Sequence, residues 1–267
     1  AMKKRRLLLP LVPLLLLLSL CLMAPILSPY DPNQLDPVSK FLPPSVLHPL
    51  GTDYLGRDLL SRVLWGGRTT LGYGAMISIF SMIIGTFIGI FSGWMGGILV
   101  QAVIRASDIL RSFPNIVLVM IFMTLWGTNM YCLSLALILT RWIWYARVSS
   151  TITLLQKKRP SILASQLVGC KTPRLLIHHI FPAILPQLSS VFFIDFGHTL
   201  LAISGYSFLG FGVLPPQAEW GAMIRDGQNY LSHPEMMVWS GLCILIVVLS
   251  ANTLGDYIRD LWEETHI

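Results

Sequence analysis

Residues 71–94 read LGYGAMISIFSMIIGTFIGIFSGW, with no Asp, Glu, Lys or Arg among them. A soluble helix or strand interrupts its apolar residues at a period of 3.6 or 2. Here the apolar run lasts about the 20 residues needed to cross a roughly 30 Å hydrocarbon layer. Gly85 and Gly89 form a GxxxG within it, Gly93 extends the stripe, and Gly72 lies upstream. Small residues at that spacing let helices approach closely, so the glycines predict a helix–helix interface and not a phosphate loop.

Comparable blocks recur outward in both directions. Of the 267 residues, 54% are hydrophobic and 12% charged, against about 25% charged in a soluble domain; the mean hydropathy is +0.67. The chain is read as an all-α membrane protein with six spans, at Leu7–Leu27, Leu71–Trp94, Pro114–Leu125, Tyr131–Tyr145, Ile184–Ser204 and Met237–Tyr257. The third and fourth are short, so the third is expected to start before Phe113 and the fourth to run on to about Val148. Met2-Lys3-Lys4-Arg5-Arg6 ahead of the first apolar run resembles a signal peptide. That run is longer than the roughly 7–15 residues of a signal core and lacks a small-x-small cleavage site, so it is read as an uncleaved span.

Thirteen Lys and Arg residues fall on the side of the N-terminus and five opposite, with Arg141 inside the fourth span. Positive segments stay cytoplasmic, which predicts both termini inside. The organisation is then an N-terminus and first helix (1–27), an extracytoplasmic segment (28–68), a five-helix core (69–258) with a cytoplasmic loop at 149–182, and a cytoplasmic tail (259–267). The net charge of +6 is thereby topological; nucleic-acid binding would require a basic face on a soluble domain. Cys21, Cys132, Cys170 and Cys243 show no CxxC spacing, which argues against a disulfide framework or zinc site. The scattered methionines are read as packing.

The fourth-to-fifth connection, 149–182, reads SSTITLLQKKRPSILASQLVGCKTPRLLIHHIFP from Ser149 to Pro182. Ile162, Leu163 and Leu167 followed by Gly169 predict a short amphipathic helix ended by the glycine. Leu175, Leu176 and Ile180 predict another before Pro182. Ala164-Ser165, Gly169 and Pro182 are similar to the EAA loop of ABC importer permeases, with Leu163 where that family has glutamate. Leu50-Gly51-Thr52-Asp53 through Gly56-Arg57-Asp58 and Ser61-Arg62 resembles the GTDxxGRDxxSR signature of peptide/nickel permeases. Arg105, Asp108, Phe113-Pro114, Trp144-Tyr145-Ala146-Arg147, Ser207-Phe208-Leu209-Gly210-Phe211-Gly212 and Glu219-Trp220-Gly221 continue the resemblance in the family's order.

The resemblance implies a type I ABC importer permease in a bacterial inner membrane. It implies that Leu163, Ala164, Ser165, Gly169, Lys171 and Arg174 belong to a coupling helix docking on the ATPase. It further implies two ABC ATPase subunits carrying ATP and Mg, a homologous second permease and an extracytoplasmic substrate-binding protein. Asp195-Phe196-Gly197-His198 is closest to the nickel-importer permeases, pointing to nickel or a metal chelate as cargo, with dipeptides or oligopeptides as the alternative.

An ionisable residue within a span needs a partner or a function. Asp195 and His198 are three apart, on one helical face near the start of the fifth span. Two readings stand. They line the translocation path with Arg141 and briefly ligate a metal cation, or Asp195 pairs with Arg141 and His198 holds the bundle. Adjacent His178 and His179 point to different sides of a helix and are read as surface residues. The sequence has no GxxxxGK[ST], GxSxG or HExxH, so no enzymatic activity, cofactor or ATP site is expected in this chain. A secondary transporter, which usually shows two related halves, is the distant alternative.

Overall fold

The computed structural model describes residues 2–265, with side chains for 8–262. Lys3, Lys4, Arg5, Arg6 and the end of the tail, on which part of the orientation reading rests, have side chains outside the described residues. The described residues are helical without a strand; one isolated bridge joins Thr52 and Asp58. In order the helices are α1 (Met2–Leu22), α2 (Ala24–Leu27), α3 (Leu59–Met95), α4 (Gly97–Ser112), α5 (Asn115–Trp126), α6 (Met130–Lys157), α7 (Pro160–Leu167), α8 (Thr172–Leu175), α9 (Phe181–Phe208), α10 (Trp220–Gly227) and α11 (Glu235–Thr265).

Among the described residues three helical runs are long and apolar enough to cross a membrane: Leu59–Met95, Thr172–Phe208 and Glu235–Trp262, with mean hydropathies of 2.1, 1.4 and 2.0. The α4–α5 pair has the composition of a fourth, broken by an 88° bend. Helix ahead of Phe113 is present as α4, where the third span is expected to begin, but it meets α5 through that bend. Pro114 disfavours helical geometry in the residue before it, and Phe113 is accordingly extended at φ −102°, ψ 140°. α6, the expected fourth span, runs on past the expected end near Val148 to Lys157; Arg141 and Arg147 interrupt its apolar character.

α3 begins at Leu59, well ahead of the expected span start at Leu71. Its first turn carries Ser61 and Arg62 after two leucines, and Asp58 caps it by accepting from the Ser61 N–H at 2.8 Å. The glycine stripe does what its spacing predicts. A Cβ on Gly85, Gly89 or Gly93 would lie 2.1, 2.4 or 2.6 Å from the carbonyl oxygens of Trp142, Ala146 and Ser150. Both series advance by four in the same direction, so α3 and α6 run parallel in backbone contact. α9 runs against them: Gly74 packs on Leu200 while Met82, further along α3, shares a groove with Leu188. α11 is antiparallel to α9, since Gly255 sits on Ser190 and Ile194 whereas Gly197 sits on Asn252 and Val248. Cys21 near the end of α1 meets Gly67 near the start of α3, so α1 opposes α3.

The loop helix α7 ends where Gly169 adopts φ +84°, the left-handed conformation that glycine supplies most readily. The second predicted loop helix is not separate. α8 passes through a π turn at Leu176–Ile180 directly into α9. Pro182 follows that turn; with no N–H to donate and a ring that would press on the carbonyl four residues back, it is accommodated by the wider turn and does not end the helix. The continuous run Thr172–Phe208 places Asp195 and His198 near mid-helix, not near the start of the span.

Candidate functional site

The signature at 51–62 builds a buried charge cluster. Asp53 accepts from the backbone N–H of Leu55 (2.8 Å) and Arg57 (3.0 Å) through one oxygen. Through the other it meets Arg57 Nε at 2.6 Å and Arg62 Nε at 3.6 Å. The Arg57 and Arg62 side chains are each 3% exposed. Arg57 also reaches Asp226 at 3.6 Å, and Arg62 donates to the Pro32 carbonyl at 2.9 Å. His48 Nδ1 lies 2.9 Å from Asp58. Close by, fully buried Glu219 caps α10, accepting from Gly221 N–H (3.0 Å), Ala222 N–H (2.9 Å) and the Thr70 hydroxyl (3.0 Å). Burial pushes the Glu219 carboxyl up, against the opposing pull of the two amides. Trp220, also fully buried, donates from its indole to the Val63 carbonyl at 2.9 Å. These residues tie the segment before α3 to α10; they hold a shape and offer no open site.

Within the bundle, Arg141 on α6 meets Asp195 on α9 in a short ion pair, and Arg141 also donates to the His198 carbonyl at 3.2 Å. The Tyr145 hydroxyl donates to the second Asp195 oxygen at 2.9 Å. Both carboxylate oxygens are therefore engaged by the protein. In the sequence Tyr145 stands only within the Trp144–Arg147 motif, with no partner assigned, although its spacing of four from Arg141 puts both on one face of α6. The His198 side chain is exposed. Among the described residues no three His, Cys, Asp or Glu side chains gather closely enough to hold a metal ion.

Two cavities open beside this network and share Trp144, Asp195 and His198 in their walls. One, of about 530 Å³, extends between α6 and α9 toward Gln187 and Arg259. The other, of about 510 Å³, extends toward the α4–α5 bend and is walled by Arg111, Phe113, Asn115 and Arg141. Arg111 lies over the Trp144 ring, 4.7 Å from its centroid. Removing the charge of Asp195 would leave Arg141 without a counter-ion, in partial contact with these cavities. Asp195→Asn should destabilise the protein by roughly 1–3 kcal/mol, and the double variant Arg141→Leu/Asp195→Leu by less than the sum of its singles. Thermal unfolding in detergent would show this, and strict additivity would exclude the pairing.

On the loop, Leu163 is 47% exposed, while Leu167 and Val168 are each 89% exposed; only Ile162 of α7 is buried. Ala164 and Ser165 lie on α7, and Lys171 precedes α8, which carries Arg174. The loop thus presents an apolar tip flanked by basic residues.

The family described as binding-protein-dependent transport system inner membrane component matches residues 85–264. The chain belongs to this family. It is 37% identical over 233 residues to the nickel transport system permease protein NikC of Escherichia coli (strain K12), covering 87% of this chain and 84% of the relative. It is 34% identical over 253 residues to the probable D,D-dipeptide transport system permease protein DdpC of the same organism, covering 94% and 85%. To the metal-staphylopine import system permease protein CntC of Staphylococcus aureus it is 33% identical over 240 residues, covering 89% and 83%. The chain is a permease subunit of an ABC importer, set in the inner membrane, and not an enzyme in its own right. The permease's buried signature cluster, its α6–α9 ion pair and its exposed loop helix all lie on this shared framework.

Proposed function

We propose that this permease forms half of a passage through which nickel or a metal chelate enters the cell. A homologous second permease completes the passage, two ABC ATPase subunits bind ATP and Mg, and an extracytoplasmic substrate-binding protein delivers cargo. The similarity to NikC and CntC supports the metal reading, and the similarity to DdpC keeps dipeptides or oligopeptides as the second. Six crossings with both termini cytoplasmic are supported by helix direction: α1 and α9 oppose α3, α6 and α11. We assign Arg141 and Asp195 to holding α6 against α9, and exposed His198 to the path wall, where among the described lining residues it supplies the imidazole to meet a metal; Asp195 retains a place in that wall.

The observation that carries the ATPase-driven reading is the exposed apolar tip of α7. A short helix anchored to the bundle by Ile162, with an exposed apolar tip, fits a groove on a partner; Leu163 to Arg174 is that coupling segment. Gly169→Leu is the test. A Cβ at Gly169 meets nothing within 4 Å, so membrane insertion should be preserved. Holding φ +84° with an L side chain costs about 1–2 kcal/mol, which re-aims the end of the coupling helix. ATPase co-purification and ATP-driven uptake in the reconstituted importer should fall about tenfold. Normal docking and uptake in that variant would remove the coupling assignment.

A further inference from the structure

The cavity toward the α4–α5 bend has a charge balance that a bare divalent cation does not fit. Its charged side chains are Arg111, Arg141 and Asp195, with His198 as the titratable imidazole. Asp195 is neutralised by Arg141 and capped by Tyr145, so the lobe offers a cation no spare carboxylate. Arg111 is different: it lines the cavity, its side chain is exposed, and it has no ion-pair partner among the described residues. It is held over Trp144 at 4.7 Å, and an arginine stacked on an aromatic face keeps its planar fork free for a carboxylate. Asn115, Thr140 and His198 supply further polar groups to the same wall. Asp108, one turn back on α4, is engaged by Arg147 at 3.4 Å and not by Arg111.

We propose that this lobe receives a small carboxylate-bearing solute, its carboxylate pairing with Arg111 over Trp144, and that it does not pass a bare divalent cation. This inference rests on the importer reading above and sharpens its cargo class. A carboxylate is shared by a metal chelate and by a peptide C-terminus, so the test needs both. A chelated metal would bring most of its own ligands, with His198 able to meet an open position on it.

The experiment is ATP-driven uptake by the complete importer in liposomes, using matched pairs. Nickel with L-histidine is compared with nickel with histamine, which keeps the nitrogen donors and lacks the carboxylate. Dialanine is compared with its C-terminal amide, and chelator-free nickel chloride is a further arm. In the wild type, the carboxylate-bearing member of at least one pair should be carried about tenfold faster than its mate, as loss of a charge-assisted pair predicts. Chelator-free nickel should be carried no faster than the slower mates. In Arg111→Ala that preference should shrink to less than threefold, and Arg111→Lys should restore most of it. The responding pair identifies the source of the carboxylate.

A preference that persists in Arg111→Ala would place discrimination elsewhere, and bare nickel carried as fast as its histidine complex would refute the charge argument; either overturns the proposal while leaving the importer reading intact. Equal slowing of every cargo in Arg111→Ala, as loss of a lipid-headgroup contact would give, also overturns it. Absence of ATP-driven uptake of every probe in the wild type would overturn both the proposal and the metal-or-peptide reading.

Discussion

Asp53→Ala should lower the thermal midpoint of the purified permease by on the order of 10 °C. Asp53 is the shared counter-ion of two arginines, at 2.6 Å from Arg57 and 3.6 Å from Arg62, with all three side chains 3% exposed. Removing one member of a buried ionic cluster strands the rest, at a cost of roughly 3–5 kcal/mol. For a chain of this length each kcal/mol corresponds to about 2–4 °C. Asp226, the remaining acid near Arg57, is 3.6 Å away and has Arg225 at the same distance, so it cannot replace Asp53. Asp53→Asn should be milder, because an amide oxygen can still accept from the Leu55 and Arg57 backbone. Exposed Arg68, over the Trp65 ring at 5.3 Å, is the control, and Arg68→Ala should shift the midpoint by only a few degrees. A midpoint for Asp53→Ala within that same margin would show that the cluster is not holding the segment before α3 to α10.

The two ends of that cluster explain what the sequence could disclose. A membrane bundle is written in runs of apolar residues and in the spacing of Gly85, Gly89 and Gly93, because helix crossing and helix contact are local, periodic demands. Gly169 as the end of the loop helix is legible for the same reason. The role of Asp53, Arg57 and Arg62 is not, since its meaning lies in Asp226 and in the neighbouring cap at Glu219, which only the tertiary fold brings near. The signature motif resembled a family without revealing that its charges are buried. The start of α3 was hidden because Arg62 and Arg68 look like loop residues when their partners are unknown. The bend at Phe113 was written in Pro114, but an apolar run on one side and an amphipathic run on the other can be joined straight or bent with equal economy of sequence. Asp195 could be foreseen as needing a partner. That Tyr145 would take its second oxygen required the helix faces to be in place.

Gly89→Leu should prevent the bundle from forming. The nearest atoms to a Cβ at Gly89 are the Ala146 carbonyl oxygen at 2.4 Å and the Ser149 Cβ at 2.7 Å. The first belongs to backbone, so no rotamer change relieves it; α6 itself must retreat from α3. Gly85 and Gly93 make equally close approaches one turn either side, so retreat at Gly89 opens the whole seam, including the Ser92–Ser150 hydroxyl contact at 3.3 Å. In a bilayer the hydrophobic effect does little to draw helices together, and close packing of small residues supplies much of the attraction. The expected loss is therefore several kcal/mol, beyond the roughly 1–3 kcal/mol of ordinary overpacking, with Gly89→Ala intermediate. Because α6 also carries Arg141, Trp144 and Tyr145, its displacement would dismantle the α9 ion pair and the groove wall together. Gly72→Leu is the matched control, on the same helix but with nothing within 4 Å of an added Cβ. Size-exclusion profiles of the two variants, expressed in parallel, decide the matter. Gly72→Leu should elute as wild type, and Gly89→Leu should yield little or only aggregated protein. Equal recovery of folded protein from both would mean that α3 and α6 do not meet along this stripe.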